Sequence, residues 1–285
     1  MKNEELSIYI ENKIKGFTHM PNNYYPDSNE KIWGKPIIGY SRGDDPLYRF
    51  IKQDIGGFYW TPLDIFSLKY PNLKVGADEL TVISWILPQT EYTKTQQRLE
   101  RCFPAKNWVK SRIYGEEFND LLRKYLVNIL IEYGYESVAP AIYGGWNYKK
   151  SLKYGYASNW SERHVAFVSG LGTFGLCDGL ITKVGKAMRC GSIVARIQLK
   201  PTLRPYTDYH EYCLYYKYGT CKKCINRCPA GAISVNGHDK IKCRKYQSQI
   251  ITEHTKKEYN LMSSCCGLCQ TQVPCESGIP IKSKG

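Results

Sequence analysis

The chain has 285 residues, with 40 lysines and arginines against 26 acidic residues and a formal net charge of +14. Its 42% hydrophobic and 13% aromatic content excludes a disordered chain and provides for a large core. No apolar stretch reaches the roughly 18 residues of a membrane-spanning helix, and the N-terminus lacks the apolar segment of an export signal. We therefore expect a cytoplasmic protein that does not contact the membrane.

Apolar spacing before residue 200 predicts helices that alternate with short strands. The apolar residues between Leu6 and Phe17 recur at helical spacing, and Asp45 before Pro46 is a helix start signal. Such alternation is typical of an α/β or α+β domain. The pattern predicts helices at 6–17, after Pro46, after Thr61, at 115–133 and at 158–169, and strands at 81–87, 137–140, 179–182 and 192–199.

A glycine loop at residues 170–175 follows the second long helix. Gly170, Gly172 and Gly175 match the spacing of a dinucleotide-binding fingerprint, but they follow a helix and lead into a strand. The fingerprint requires the opposite order, a strand followed by a helix. Without further context, the loop is therefore interpreted as a tight turn in which glycine supplies positive φ.

The 12 cysteines divide the chain into two parts. Three of them precede residue 200, and the other nine lie between Cys213 and Cys275. Disulfide scaffolds are short secreted chains, so a cysteine cassette after a larger body indicates metal binding instead. We place the boundary between a body, residues 1–203, and the cassette, residues 204–285, where two prolines flank the change in composition.

The cassette contains the run Cys221-x2-Cys224-x3-Cys228-Pro, which matches the end of the bacterial ferredoxin run. Two residues between cysteines let one turn direct two thiolates at one cluster, whereas the cysteine before proline ligates the other cluster. The spacing therefore predicts two [4Fe–4S] clusters with crossed ligands. The predicted ligands are the cluster A set (Cys213, Cys221, Cys224 and Cys275) and the cluster B set (Cys228, Cys243, Cys266 and Cys269).

Two alternatives remain for these cysteines. Cys265 neighbours Cys266 and can substitute for it as a ligand. The pairs Cys221/Cys224 and Cys266/Cys269 would also suit a single four-cysteine zinc site. Zinc leaves the other four cysteines of the two sets without a role, and the gap between the pairs is longer than in a usual zinc ribbon.

Together, the glycine loop and the cassette resemble the epoxyqueuosine reductase and reductive dehalogenase superfamily over about residues 80–280. The resemblance is carried by GLGTFG, GLIT, RCGS, CKKCINRCPAGAI, the lone Cys243 and CGLCQTQVPCE. It implies a nitroreductase-like α/β domain that holds base-off cobalamin against a ferredoxin-like two-cluster domain. Glycine-rich backbone suits the corrin, because a missing Cβ permits close approach of a flat macrocycle. The implied cobalamin contacts are Gly170, Leu171, Gly172, Thr173, Phe174, Gly175, Gly179, Leu180, Ile181 and Gly191.

The resemblance also implies a proton donor. In epoxyqueuosine reductases this is an aspartate on the helix before the glycine loop, and the matching position here is His164. Histidine serves as a general acid near neutral pH, although a packed core histidine is the alternative interpretation. The chain ends at Gly285, soon after Cys275, so the helical extension that helps many of these reductases to grip tRNA is not expected. We expect a short, divergent member for which tRNA is not the favoured substrate.

These features predict an iron–sulfur reductase. A low-potential donor, ferredoxin or flavodoxin, would reduce one cluster, and the electron would pass through the second to cobalamin and a small or nucleoside-type substrate. One alternative is an electron carrier, or a reductive activator of a corrinoid protein, without cobalamin of its own. Another is an RNA-binding protein with structural clusters. Two oxidised clusters of about −2 each lower the net charge to roughly +10, which weakens the argument for nucleic acid.

Overall fold

The computed structural model describes residues 3–281, in which short helices and strands are interleaved. The strands are β1 (Ile37–Arg42), β2 (Thr81–Pro88), β3 (Ser137–Val138), β4 (Tyr148–Ser151), β5 (Gly155–Ser158), β6 (Gly172–Phe174), β7 (Leu180–Thr182), β8 (Met188–Ala195), β9 (Ile233–Ser234) and β10 (Gly237–His238). The α-helices are α1 (Asn3–Phe17), α2 (Pro46–Ile55), α3 (Pro62–Lys69), α4 (Glu91–Leu99), α5 (Lys106–Glu132), α6 (Glu162–Val168), α7 (Leu214–Tyr218), α8 (Lys223–Asn226), α9 (Lys240–Tyr246) and α10 (Thr252–Tyr259). A π-helical turn, Gln247–Ile251, joins α9 to α10.

A four-stranded antiparallel sheet, in the order β1-β2-β8-β3, forms the centre of the body. β2 pairs with β1 on one side, with Ser84 opposite Gly39, and with β8 on the other, with Ser84 opposite Ser192. β3 is a two-residue edge strand on the far side of β8. Every residue of β2 before Pro88 is buried. Both faces of the sheet are therefore covered.

Helices form a layer on each face of this sheet. Val82 and Ile86 of β2 join one core, and Ile83 and Trp85 join the other, because successive strand residues point to opposite faces. The first core includes residues of α2, α3 and α6, and the second includes residues of α1 and α5. The mixed α/β fold class is confirmed, in its α+β form because the sheet is antiparallel.

Most of the predicted elements are confirmed, with shifted bounds. α5 begins at Lys106, before the predicted start at residue 115, and α6 is shorter than the predicted 158–169. β8 begins at Met188 and ends at Ala195, so it is displaced from the predicted 192–199. The sequence did not predict β1, α4, the β4–β5 hairpin or β6. α4 shows no apolar period because its buried residues are Thr93, Lys94 and Gln97.

The cassette lies outside the central sheet and consists of short helices and the β9–β10 hairpin. Polar contacts join it to the body: the Asp178 carboxylate lies 3.3 Å from His238 Nδ1 and 3.5 Å from Lys240 Nζ. The boundary near residue 203 stays a prediction. Across residues 3–281, no helix combines the length and the apolar character needed to cross a membrane.

Candidate metal centre

One pocket brings together the four cysteines of the cluster A set. Most of its other lining residues are apolar. Cys213 and Cys224 are buried, whereas Cys221 and Cys275 are partly exposed. Such a pocket suits an iron–sulfur cluster, because thiolates bind the irons and apolar walls limit the access of water. The remaining lining residues are Gly175, Leu176, Ile181, Lys186, Leu214, Val273, Pro274 and Pro280.

The local backbone explains how these cysteines meet. Cys213 precedes the short helix α7, which ends at Gly219 in the left-handed conformation with φ +69°. Glycine adopts this conformation without strain, so the chain reverses there and brings Cys224 back towards Cys213. Cys275 lies near the end of the cassette, and its carbonyl accepts a hydrogen bond from the Lys186 N–H of the body at 2.9 Å.

The cluster B set forms a second group, in which all four cysteines are partly exposed. Cys266 lies within electrostatic range of Cys228, Cys243 and Cys269. Three of the sulfurs accept hydrogen bonds from N–H groups, a feature that tunes cluster ligands. The donors are Ala232 N to Cys228 at 3.3 Å, Gln247 Nε2 to Cys243 at 3.2 Å, and Leu268 N to Cys266.

Cys265 and Cys266 face different surroundings. Cys265 packs with Ala105, Trp108 and Ala187 in a small apolar cluster. Cys266 instead lies beside the other cysteines of the cluster B set. This placement supports Cys266 rather than Cys265 as the predicted ligand.

The zinc alternative requires four sulfurs to converge on one ion. Within residues 3–281, no three His, Cys, Asp or Glu side chains converge closely enough to hold a single metal ion. A four-iron cluster has no such requirement, because each thiolate binds a different iron. The choice between two clusters and a single zinc ion therefore stays a prediction.

Hydrogen bonds hold both cysteine-bearing turns against α4. The guanidinium of Arg227, on the first turn, donates to the carbonyls of Glu100 at 2.6 Å and Gln97 at 3.2 Å. The side-chain amide of Gln97 donates to the carbonyl of Cys266, on the second turn, at 2.9 Å. The body thus sets the relative position of the two predicted ligand sets.

The sequence analysis missed two residues at the centre of the site, Cys177 and Lys186. They lie in the body, on the connections before and after β7, and are 5% and 3% exposed. Lys186 Nζ donates to Cys177 Sγ at 3.2 Å. Cys177 also contacts Cys224 of the cluster A set and Cys269 of the cluster B set. Cys177 therefore lies where the two sets approach each other.

No sequence pattern marks this pair, because neither residue belongs to a cysteine motif. Burial lowers the pKa of Lys186, but the neighbouring sulfurs, Cys177 and Cys275 foremost, raise it above its ordinary value. Lys186 is therefore a buried cation. Only the tertiary structure shows that this cation lies beside the predicted ligands.

The glycine loop forms the turn from α6 into the β6–β7 hairpin, in the order expected from the sequence. Gly170 has φ +79°, as a tight turn requires. At Gly172 a Cβ would overlap the carbonyl of Ile181, and at Gly191 it would overlap the indole of Trp85. The missing Cβ at Gly172 and Gly191 therefore makes room for the protein's own backbone and side chains.

Aromatic side chains from the start of the cassette cover the loop. Tyr209 stacks on Phe174 with ring centroids 4.4 Å apart, and the Tyr206 hydroxyl accepts the Gly172 N–H at 3.3 Å. As placed, these residues do not fit a corrin, which needs an open backbone face. Cobalamin binding stays a prediction. Of the implied contacts, Leu171, Gly172, Thr173, Phe174, Gly175, Leu180, Ile181 and Gly191 are buried, and Gly170 and Gly179 are partly exposed.

His164 lies on α6 with both ring nitrogens in hydrogen bonds. Nδ1 lies 2.7 Å from Ser161 Oγ, and Nε2 lies 3.0 Å from the Tyr209 hydroxyl. Burial foremost, together with the charges of Arg163 and Lys240, lowers the pKa of His164 to about 3. A ring that is neutral at pH 7 has no imidazolium proton to give. The placement supports the core-histidine interpretation over the implied role as a general acid.

The sequence of the chain is similar to that of a known reductase. No protein-family model matches the chain. The epoxyqueuosine reductase of Lactococcus garvieae (strain Lg2) is 25% identical over 254 residues, which cover 85% of this chain and 66% of that protein. The chain thus spans slightly less than two thirds of the length of that relative.

Two solved structures share the fold. One is an epoxyqueuosine reductase with an epoxyqueuosine-modified tRNA-Tyr stem loop, with a TM-score of 0.53 and 17% identity over 99% of this chain and 68% of that one. The other is a reductive dehalogenase described with a mechanism for B12-dependent dehalogenation, with a TM-score of 0.53 and 13% identity over 86% of this chain and 30% of that one. The predicted resemblance to the epoxyqueuosine reductase and reductive dehalogenase superfamily is confirmed.

Proposed function

We propose that the chain is an oxidoreductase that passes single electrons through two [4Fe–4S] clusters to a reducible substrate. The observation that carries the proposal is the convergence of the cluster A set on one pocket. The similarity to an epoxyqueuosine reductase supports a reductase activity. When bound, each cluster would supply a site that accepts and releases one electron.

The protein's own groups have separate tasks in this proposal. The cysteines hold the clusters, and Leu176, Ile181 and Val273 keep water from the cluster A set. The N–H groups that donate to Cys228 and Cys243 moderate the negative charge of these sulfurs. We place the entry point for ferredoxin or flavodoxin at the cluster B set, because all of its cysteines are partly exposed.

The substrate in this proposal is a small or nucleoside-type molecule. One structure of the same fold holds a tRNA stem loop. The net charge of +14, which two oxidised clusters would lower to roughly +10, still favours an anionic ligand. Titration with such a stem loop tests an RNA substrate. Specific binding that weakens steeply between about 50 and 200 mM salt would support it. Undetectable binding at low salt would leave the small substrate as the proposal.

The covered glycine loop favours a second candidate, an electron carrier without cobalamin of its own. Such a carrier needs exposed clusters and no cofactor pocket over the loop, which Tyr206 and Tyr209 cover. Addition of cobalamin to the iron-loaded protein separates the candidates. A base-off spectrum at one cobalamin per chain would support the cobalamin-dependent reductase. Full iron content without cobalamin uptake would support the carrier.

Anaerobic reconstitution followed by iron and sulfide analysis tests the clusters. We expect ~8 irons per chain, the content of two [4Fe–4S] clusters. Cys213→Ser and Cys243→Ser should each lower this to ~4, because each removes a ligand from a different set. Cys102→Ser is the matched control, since Cys102 is exposed and belongs to neither set. A protein with one zinc and no iron would overturn the proposal.

A further inference from the structure

We propose that Lys186 raises the reduction potential of the clusters by holding a buried positive charge between the two ligand sets. The inference rests on the proposed function, because it concerns the clusters that these cysteines would hold. Lys186 is 3% exposed and lines the pocket of the cluster A set. Through Cys177 it also reaches Cys269 of the cluster B set.

Contacts along the whole residue fix the position of Lys186. Its backbone N–H donates to the Cys275 carbonyl at 2.9 Å, and its Nζ donates to Cys177 Sγ at 3.2 Å. Its stem passes Gly179, where a Cβ would lie 3.3 Å from both Lys186 Cδ and Cys177 Sγ. The ammonium group is therefore held inside the site and does not reach solvent.

The surroundings of Lys186 distinguish it from a lysine in an ordinary ion pair. Its Nζ donates to a sulfur, Cys177 Sγ, at 3.2 Å, and its side chain lines the same pocket as the four cysteines of the cluster A set. The body contributes the cation, whereas the cassette contributes the predicted ligands.

Electrostatics gives the direction of the effect. An oxidised [4Fe–4S] cluster with four thiolates carries about −2, and one electron from an external low-potential donor brings it to about −3. No bond is made or broken in this step, and the electron stays on the cluster until the next acceptor takes it. A nearby cation stabilises the more negative state, and burial limits the screening of that interaction.

The test compares Lys186→Met with Lys186→Arg in the iron-loaded protein, with dithionite as reductant and electron paramagnetic resonance as readout. We expect Lys186→Met to disfavour reduction of at least one cluster by about tenfold, which is 59 mV for a one-electron couple. Lys186→Arg keeps the charge and should stay near the wild-type potential. Unchanged potentials in an iron-replete Lys186→Met protein would overturn the inference. Absence of iron from the wild type would overturn the proposed function instead.

Two additional variants keep the result interpretable. Lys186→Gln removes the charge but keeps a polar N–H group in the site, and it should match Lys186→Met. A proton taken up by Cys177 would compensate the lost charge, so the Cys177→Ser substitution is added to both the wild type and Lys186→Met. The difference in reduction potential between these two proteins should persist when both carry Cys177→Ser. Loss of iron from both neutral variants, with full iron in Lys186→Arg, would overturn the inference in favour of a structural role.

Discussion

The turn between Cys266 and Cys269 depends on a glycine that tolerates no side chain. Gly267 has φ +69°, and a Cβ there would overlap the indole of Trp108. Trp108 is 5% exposed and packs in an apolar cluster with Ala105, so it has little room to move aside. We therefore predict that Gly267→Ala destabilises the protein and displaces Cys266.

Two costs make up the expected loss of stability. The left-handed conformation costs a residue with a Cβ about 1–2 kcal/mol. An extra methyl group forced against a packed side chain costs about 1–3 kcal/mol. Gly267→Ala should lower the free energy of unfolding by the sum, about 2–5 kcal/mol. Gly219 is the matched control, because its φ is also +69° and nothing lies within 4 Å of a Cβ built there. Gly219→Ala should show only the first cost.

Urea unfolding of the iron-loaded protein, followed by circular dichroism, measures both variants. The difference between them isolates the clash with Trp108 and should be about 1–3 kcal/mol. Iron analysis should show that Gly267→Ala loses the cluster held by the cluster B set, whereas Gly219→Ala keeps that cluster. Equal destabilisation by the two substitutions would refute the packing argument. Full iron in Gly267→Ala would refute the link between this turn and ligand geometry.

Two further predictions concern the body and its contact with the cassette. Burial lowers the pKa of His164 from 6.5 to about 3, so its stabilising contribution is complete above pH 6.5 and is lost as pH falls towards 3. Urea unfolding should therefore show that the free energy of unfolding of His164→Gln falls less steeply below pH 6.5 than that of the wild type, by up to about 1.4 kcal/mol per pH unit. Parallel plots of unfolding free energy against pH for the two proteins would contradict this. Arg227→Leu removes the bonds to the Glu100 and Gln97 carbonyls and should cost about 1–3 kcal/mol. Limited proteolysis should then cut the cassette first, unlike in Lys245→Leu, which changes an exposed lysine of the cassette. Equal protection of the two variants would contradict the anchoring role.

The body was predictable from sequence where apolar residues alone form the core. α1 and α5 carry long apolar stripes, and β2 is a mostly apolar segment rich in β-branched residues, so the sequence pattern is enough to find them. α4 escapes this approach because it buries Thr93 and Gln97, which serve hydrogen bonds to neighbouring segments. The β4–β5 hairpin escapes it because three of the four residues of β4 are exposed. Periodicity detects apolar burial, and these elements depend on other contacts.

The candidate site divides in the same way. Ligand spacing within a turn is a local property, so Cys221, Cys224 and Cys228 were accessible to sequence reasoning. The convergence of Cys177 and Lys186 on these turns is a tertiary property, because the pair belongs to another part of the chain. A buried lysine is also rare enough that composition gives no reason to expect one. Sequence spacing therefore indicated the ligands but not the charge beside them.

The glycine loop shows why a correct resemblance does not settle cofactor binding. Glycine indicates close approach, and here the approaching groups are the protein's own. A corrin on the loop would have to displace the Tyr209–Phe174 stack, the Gly172–Tyr206 hydrogen bond and the bond from the Tyr206 hydroxyl to the Phe167 carbonyl at 2.6 Å. At about 0.5–1.5 kcal/mol for each of the three contacts, the loss is about 1.5–4.5 kcal/mol. Since 1.4 kcal/mol is tenfold in affinity, cobalamin would bind roughly 10-fold to 1,500-fold more weakly than to an open loop. A cobalamin-dependent reductase on this fold therefore requires the tyrosine segment to move, whereas an electron carrier does not.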